Sequence, residues 1–392
     1  MAQKPHGTCI QSGVVGCGFI GRVHIEALRR LGYVNVRALA SRNQEIADKK
    51  SAELSVERAY GNWEDLVQDE DIQVVHISTT NELHYPITMA CIEAGKHVIC
   101  EKPLALTTKE AKDLLNKAEK RGIVHVVCHN QRYYPLVKQA RAMVLDGDVG
   151  VVRLVHGHYL QDWLFLETDY NWRLISEQSG TSRVVADIGT HWFDMVQHVT
   201  GQRIVSVCAD LSTFIPVRKK PLREIDTFAQ QQLEAEECVN IDVDTEDHAT
   251  VMIRFSEGAK GVLLASQVCA GRKNYIHFEI NGSRSSLEWN GEDANMLWIG
   301  QRGRENKAFM KDPTLMAPSA AKYAGAPCGL GEGYLDTYKN IFSDVYGNIR
   351  DGIPMNGKIS PFPTFKTGYE QLCIVDAVLR SNESGSWEEV VY

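Results

Sequence analysis

The sequence predicts an α/β chain: a doubly wound parallel sheet first, then an α+β region with a large, mostly antiparallel open sheet. Three observations predict it. Apolar runs at residues 10–15, 34–40, 74–78, 97–100 and 124–128 alternate with helical patterns at 19–31, 44–54, 83–93 and 109–121. Strands separated by helices pair in parallel, with both faces covered. A glycine-rich turn sits between the first run and the first helical pattern. From about residue 131 the rhythm changes to strands joined by short turns, the mark of an antiparallel sheet. The expected division is one unit over 1–130 and a second over 131–392.

The turn reads Gly16-Cys17-Gly18-Phe19-Ile20-Gly21, a G-x-G-x-x-G that follows a strand and opens a helix. Gly16 permits the tight turn, Gly18 lets the backbone approach a pyrophosphate, and Gly21 lets helix and strand pack closely. The amides opening the helix then meet phosphate charge. Gly16, Gly18, Phe19, Ile20 and Gly21 are therefore the expected dinucleotide cradle. The second strand ends Ala40-Ser41-Arg42-Asn43, without the carboxylate that reads a ribose 2′-hydroxyl. Arg42 can pair with a 2′-phosphate, stack on adenine, or simply start a helix. Ser41 and Arg42 line this end, and both NAD and NADP stay open, with NAD placed first.

In the second region a helix over 134–145 leads to a strand over 151–161, an irregular stretch, and a helix near 191–199. Strands follow at 204–211, 248–255, 260–268, 275–281 and 285–289, then helices over 332–349 and 365–381. Residues 216–246 are polar and poorly patterned and read as an irregular excursion. In 249–255 one face carries Ala249, Val251, Ile253 and Phe255, and in 261–268 both faces are largely apolar. A sheet covered on one side only would leave Val262 and Leu264 wet, and such a patch marks an interface. A homo-oligomer, dimer or tetramer, is the expectation.

Composition excludes some partners. A net charge of −8 disfavours nucleic acid and anionic membranes, which reward a basic face. The ten cysteines form no C-x-x-C pair, and several lie in apolar runs, so they read as buried thiols rather than disulfides. The N-terminus MAQKPHGTCIQS has no apolar signal core, and no window reaches ~18 apolar residues. A cytoplasmic protein is expected.

Three further segments carry a family likeness. They are Thr79-Thr80-Asn81-Glu82-Leu83-His84, then Gly95 to Ala105 with its Glu101-Lys102-Pro103, then Asp187-Ile188-Gly189-Thr190-His191-Trp192-Phe193-Asp194. With the glycine turn they resemble the Gfo/Idh/MocA family of sugar and cyclitol oxidoreductases, over nearly the whole chain. The resemblance implies a Rossmann unit with Thr79, Asn81, His84, Glu101, Lys102, Trp172 and Arg173 lining the cofactor. It also implies Lys102, His191 and Asp187 as the catalytic set. On the substrate side it implies Asn130, Asp187, Thr190 and His191, and more loosely Tyr159, Gln161, Asp162 and Trp163, a segment similar to one in members acting on glucosides or anhydrosugars. The implied activity is NAD(P)-dependent oxidation of a ring secondary hydroxyl, at C3, of a sugar or glycoside. Alternatives are an inositol dehydrogenase, a glycoside hydrolase working by transient redox on bound NAD, and a non-catalytic cofactor-binding regulator.

Chemistry alone reads the same residues compatibly. Oxidising a secondary alcohol sends hydride to a nicotinamide and needs a base for the hydroxyl proton. A histidine such as His191 titrates in the right range. Asp187 lies four residues earlier, on the same face if that turn is helical. Lys102 falls just past a parallel strand's carboxyl end, where open α/β sheets place ligands, and its cation would stabilise alkoxide charge. Against this, an E-K-P turn can be merely solvated, and Asp187 can be a helix cap. Asp187, His191 and Asp194 can be metal ligands, although hydride chemistry needs none and the expected metal content is none. His129 and His198 read as structural, Trp163 and Trp172 as core or as an aromatic wall against a sugar's C–H face, and Glu332–Asp336 as helix-capping.

Overall fold

The computed structural model describes residues 9–222, 238–355 and 360–392. The chain divides into two compact units, Met1–His129 with Leu335–Tyr369, and Asn130–Tyr334 with Glu370–Tyr392. A single boundary at 130 leaves out the return of Leu335–Tyr369 to the first unit. Helical periodicity says where a helix lies but not which core its apolar stripe will meet.

The first unit holds a parallel sheet of six strands: β1 (Ile10–Val15), β2 (Val34–Ala40), β3 (Arg58–Tyr60), β4 (Val74–Ile77), β5 (His97–Cys100) and β6 (His125–Val127). Their order is β3-β2-β1-β4-β5-β6. The chain reverses its winding between β1 and β4, the crevice where such sheets bind ligands. β4 is buried at all four positions, as a sheet covered on both faces requires. Asn43 caps the helix after β2 by accepting from Ile46 N, and Thr107 with Glu110 forms a capping box on the helix after β5. β3 and the Trp63–Gln68 helix are too short to show a period in the sequence.

The returning segment supplies the helix Tyr334–Arg350, whose Tyr338, Ile341, Phe342, Val345 and Tyr346 form a buried stripe at helical spacing. Phe342 meets the rings of His24 and His76 edge-on, at 4.9 and 4.8 Å between centroids. At the sheet edge Val127 N donates to Pro363 O at 3.2 Å, and Phe365 N donates to His125 Nδ1 at 3.2 Å.

The second unit is built on nine strands. In chain order they are β7 (Val152–Leu160), β8 (Ile204–Ser212), β11 (His248–Phe255), β12 (Lys260–Ser266), β13 (Tyr275–Gly282), β14 (Ser286–Asn290), β15 (Met296–Gly300), β16 (Lys307–Met310) and β17 (Glu388–Glu389). The sheet order is β16-β15-β14-β13-β7-β12-β11-β8-β17. Every pairing is antiparallel except β7 with β12. The remaining two strands fall within the expected excursion from the sheet over 216–246 and give it regular structure that the pattern did not show. β9 (Val217–Pro221) and β10 (Cys238–Asp242) pair as a separate antiparallel sheet, and residues 223–237 lie outside the described ones. Arg218 of β9 is buried and donates to the carbonyls of Leu164 and Leu166, both at 2.7 Å. Its polar sequence hid the strand because this arginine points inward.

One face of the large sheet buries Val155, Val251, Ile253, Leu263, Ile276, Phe278 and Trp289. Trp192, on the helix Thr190–Thr200, donates its indole N–H to His277 O at 2.8 Å. A Cβ at Gly157 would lie 2.8 Å from that indole nitrogen, so only glycine admits it. On the other face Met252, Val262 and Leu264 remain 44%, 38% and 36% exposed.

Candidate functional site

In the first unit the glycine turn has the shape a pyrophosphate needs. Gly16 takes φ of 89°, and a Cβ on it would fall 2.7 Å from Ser78 O. A Cβ on Gly21 would lie 2.0 Å from Gly16 O, so strand and helix could not close. Nothing lies within 4 Å of a Cβ built at Gly18, which leaves room where a phosphate would approach. The helix Phe19–Arg29 starts there with no side-chain cap and no acidic residue in its first turn. A positive helix end whose first turn carries no carboxylate of its own suits an anion. Phe19 is exposed and Ile20 half-buried. At the end of β2, Ser41 N donates to Tyr60 O at 3.0 Å and Arg42 is exposed. These residues fit a nicotinamide dinucleotide.

Lys102 lies two residues past the carboxyl end of β5 and is half-buried. His84 holds the segment beside it. Its buried ring bonds Pro103 O through Nδ1 at 2.7 Å and approaches Thr79 O through Nε2 at 3.3 Å. Burial lowers the His84 pKa, so the ring is a neutral strut. Thr79 and the buried Asn81 lie at the start of the same loop, where Thr79 Oγ1 donates to Thr80 O at 3.1 Å. Glu101 accepts from His24 Nε2 and from Tyr338 Oη, each at 3.1 Å, and from the Lys102 main-chain N–H at 3.3 Å. Burial pushes its carboxyl up, but the His24 bond and charge, with Lys102 and Tyr338, outweigh this and lower it. It is a buried carboxylate committed to its neighbours.

In the second unit the segment Val185–Gly189 is a π-helical turn that runs on into Thr190–Thr200. Glu246 anchors its entry by accepting from Ser182 Oγ, Arg183 N and Val185 N at 2.6, 2.9 and 3.0 Å. The Asp187 carboxylate is gripped on both oxygens, by Arg173 Nε at 3.1 Å and Gln267 Nε2 at 2.9 Å. His191 is buried one turn later, its ring 6.4 Å from that of Tyr159. The carboxylate is fixed in place, and the histidine one turn later is shielded from bulk water.

Other expected residues are taken up by the fold around them. Arg173 stacks on Trp172 at 4.4 Å while bonding Asp187. Tyr159 Oη donates to Asn274 Oδ1 at 2.7 Å, and Gln161 bridges Asn274 and the Trp163 indole. Asp162 is held by Lys273 Nζ at 2.7 Å and Gly271 N at 2.9 Å. Trp163 packs on Leu164, Leu174 and Val243. Thr190 donates to Ala186 O at 2.9 Å, and Asn130 is fully buried at the start of a short turn. Asp194 forms a two-pronged pair with Arg132, one contact at 2.7 Å, which removes it from any metal set with Asp187 and His191. Glu332 pairs with buried Lys311 and accepts from Gly325 N at 2.7 Å rather than capping a helix.

The sequence reading missed His24, His76, Tyr338 and Tyr346. The available signal was His76 in the otherwise apolar Val74–Ile77, since a buried polar group needs a partner. Among the described residues one group, His24, Glu101 and Cys128, brings metal-type ligand atoms within 4.8 Å of one another. Burial pushes the Cys128 thiol well up, away from the thiolate a metal needs, and the cluster reads as hydrogen-bonded. Among the described residues all ten cysteines are free, and no helix is long and apolar enough to cross a membrane.

Comparison with known proteins bears on this arrangement. The oxidoreductase family with the NAD-binding Rossmann fold, Gfo/Idh/MocA, matches residues 10–129, and its C-terminal domain matches residues 137–288. A levoglucosan dehydrogenase of Pseudarthrobacter phenanthrenivorans is 34% identical over 96% of this chain and 97% of its own. A solved levoglucosan dehydrogenase, in complex with NADH and L-sorbose, superposes with a TM-score of 0.87 at 32% identity, covering 97% of this chain and 99% of that one. An inositol dehydrogenase homologue from Azotobacter vinelandii, complexed with NAD+, gives 0.85 at 26% identity, covering 98% of each. With its glycine turn, E-K-P element and D-x-G-x-H element in family order, the chain belongs to the Gfo/Idh/MocA family of NAD-binding oxidoreductases.

Proposed function

We propose that this chain oxidises a ring secondary hydroxyl, at C3, of an anhydrosugar or glycoside, with NAD as hydride acceptor. The observation that carries the reading is the end-to-end likeness to levoglucosan dehydrogenase in a chain that also keeps Lys102, Asp187 and His191. Bound nicotinamide supplies the hydride chemistry. Lys102 stabilises the developing alkoxide, His191 takes the hydroxyl proton, and Asp187 orients that step. A panel of levoglucosan, methyl glucosides, glucose and myo-inositol, screened for cofactor reduction with NAD and with NADP, tests it. Levoglucosan or a glucoside should be turned over fastest. A preference for myo-inositol selects the inositol reading, and sugar release without net cofactor reduction selects the hydrolase. Cofactor binding with no turnover of any sugar selects the regulator.

Arg42 is assigned to the adenosine end of the cofactor because β2 ends without a carboxylate and this cation is exposed there. Arg42→Ala is expected to shift the NAD-to-NADP ratio of kcat/KM by about tenfold, the equivalent of ~1.4 kcal/mol. A change below about twofold removes Arg42 from cofactor choice.

The open sheet face with Met252, Val262 and Leu264 is assigned to self-association about a two-fold axis, since flat exposed apolar patches of this kind mark interfaces. Mass measurement in solution should show a dimer or tetramer, and Leu264→Arg should dissociate it. A monomer of 43.9 kDa defeats the assignment, and an oligomer that survives Leu264→Arg puts the interface elsewhere.

A further inference from the structure

Behind Lys102 runs a buried chain of polar side chains that the proposed chemistry does not use. Tyr346 Oη lies 2.8 Å from His76 Nε2, His76 Nδ1 lies 3.1 Å from His24 Nδ1, and His24 Nε2 lies 3.1 Å from Glu101 Oε1. Tyr338 adds a second donor to the same Glu101 oxygen, and the Lys102 amide takes the other oxygen. His24, His76, Tyr338 and Tyr346 are each at most 1% exposed, and Glu101 is 7% exposed. An ionised carboxylate only accepts, so His24 Nε2 must carry a proton toward it. Burial holds His76 neutral, so it offers His24 one fixed nitrogen. Phe342 packs edge-on against both rings. A buried polar network is costly unless its members are satisfied, and a satisfied one fixes the groups it holds.

We propose that Glu101 and His24 are positioning residues for Lys102: the His76–His24–Glu101 chain, fixed from the far end by Tyr346, clamps the main chain at Lys102 and so sets where its ammonium sits. This rests on the reading of Lys102 as the group that stabilises the alkoxide. The groups facing Glu101 are His24 from the first helix, Tyr338 from Tyr334–Arg350, Cys128 beyond β6, and Cys100, Lys102 and His84 from its own side.

The test compares Lys102→Ala, Glu101→Gln, His24→Leu, His24→Gln and Tyr346→Phe, with the best sugar of the panel and NAD. Glu101→Gln and His24→Leu should lower kcat by about tenfold or more, as misplacement of a reacting group does. Tyr346→Phe should lower it by about fivefold, the factor one net hydrogen bond represents. In each the pH profile of kcat should move, NADH binding should hold in His24→Leu and Tyr346→Phe, and His24→Gln, which can still donate to Glu101, should recover activity relative to His24→Leu. Loss of thermal stability with kcat and its pH profile unchanged overturns the proposal and leaves Lys102 untouched. Full turnover by Lys102→Ala overturns the underlying reading and the proposal with it. Nitrogen-resolved imidazole spectra supply a readout without substrate: a His24 Nε2 that carries no proton overturns the arrangement.

Discussion

Lys102→Ala and His191→Ala are each expected to lower turnover by about 10²–10⁴-fold, the usual contribution of a general acid or base. NADH binding should persist in both, because the glycine turn and the uncapped helix Phe19–Arg29 stand apart from either side chain in the sequence and keep their own geometry. For Lys102 the reasoning is electrostatic. A cation held at a strand's carboxyl end meets charge that exists only once the hydroxyl loses its proton, so its removal raises the barrier more than it weakens substrate binding. For His191 the reasoning is positional. Its helix is anchored through Glu246, and Asp187 beside it is fixed by Arg173 and Gln267, so the imidazole is not free to be replaced by a mobile water. Single-turnover rates at saturating sugar, with NADH titrations alongside, check both. Turnover at the wild-type rate in either variant takes that residue out of the mechanism.

Glu332→Ala should cost about 3–5 kcal/mol of stability, the usual result of stranding one member of a buried ion pair. Lys311 is 3% exposed, and its ammonium also donates to Ala326 O at 3.0 Å and Leu330 O at 2.9 Å. It is thus the hub that gathers the loop before Tyr334. With Glu332 gone the ammonium keeps two carbonyls but loses its counter-charge, and Gly325 N loses its acceptor. Glu332→Gln should lose less, because an amide oxygen can still accept from Gly325. The double variant Lys311→Met with Glu332→Leu should regain much of the loss, since no charge is left buried. Denaturant unfolding measures all three. A cost below about 1 kcal/mol for Glu332→Ala would mean that the pair behaves as a solvated one.

The parallel sheet, β3 apart, was readable because buried strands are continuous apolar runs separated by segments of helical spacing, two of which open on side-chain caps. The large antiparallel sheet was readable down to β14, through alternation and turn residues. β16 and β17 escaped because edge strands need little burial and show little pattern, β15 because five residues are too few to show a period, β9 because an arginine occupies an inward position, and β10 because it buries little. At the site, the glycine motif pointed to Gly16 and the family resemblance to Lys102, Asp187 and His191 as candidates. It could not show that Asp194 belongs to Arg132, Asp162 to Lys273, or Glu101 to His24, because those partners lie 62, 111 and 77 residues away. Pairings of that range are decided by topology, which no local pattern encodes.

The return of Leu335–Tyr369 to the first unit also has a bearing on synthesis. When residue 129 leaves the ribosome, β4 is complete but the aromatic stripe that covers His24 and His76 has not been made. About 200 residues must still be translated, which at ~5–20 residues per second takes roughly 10–40 s. Over that interval the nascent nucleotide-binding half carries two histidines and a carboxylate with no lid, and the intervening sheet still lacks β17 and the rest of Glu370–Tyr392. The first half to be made is therefore finished only near the end of synthesis, just before the second unit receives its own last segment, and a nascent chain halted before residue 335 exposes a polar seam that chaperones and proteases can read.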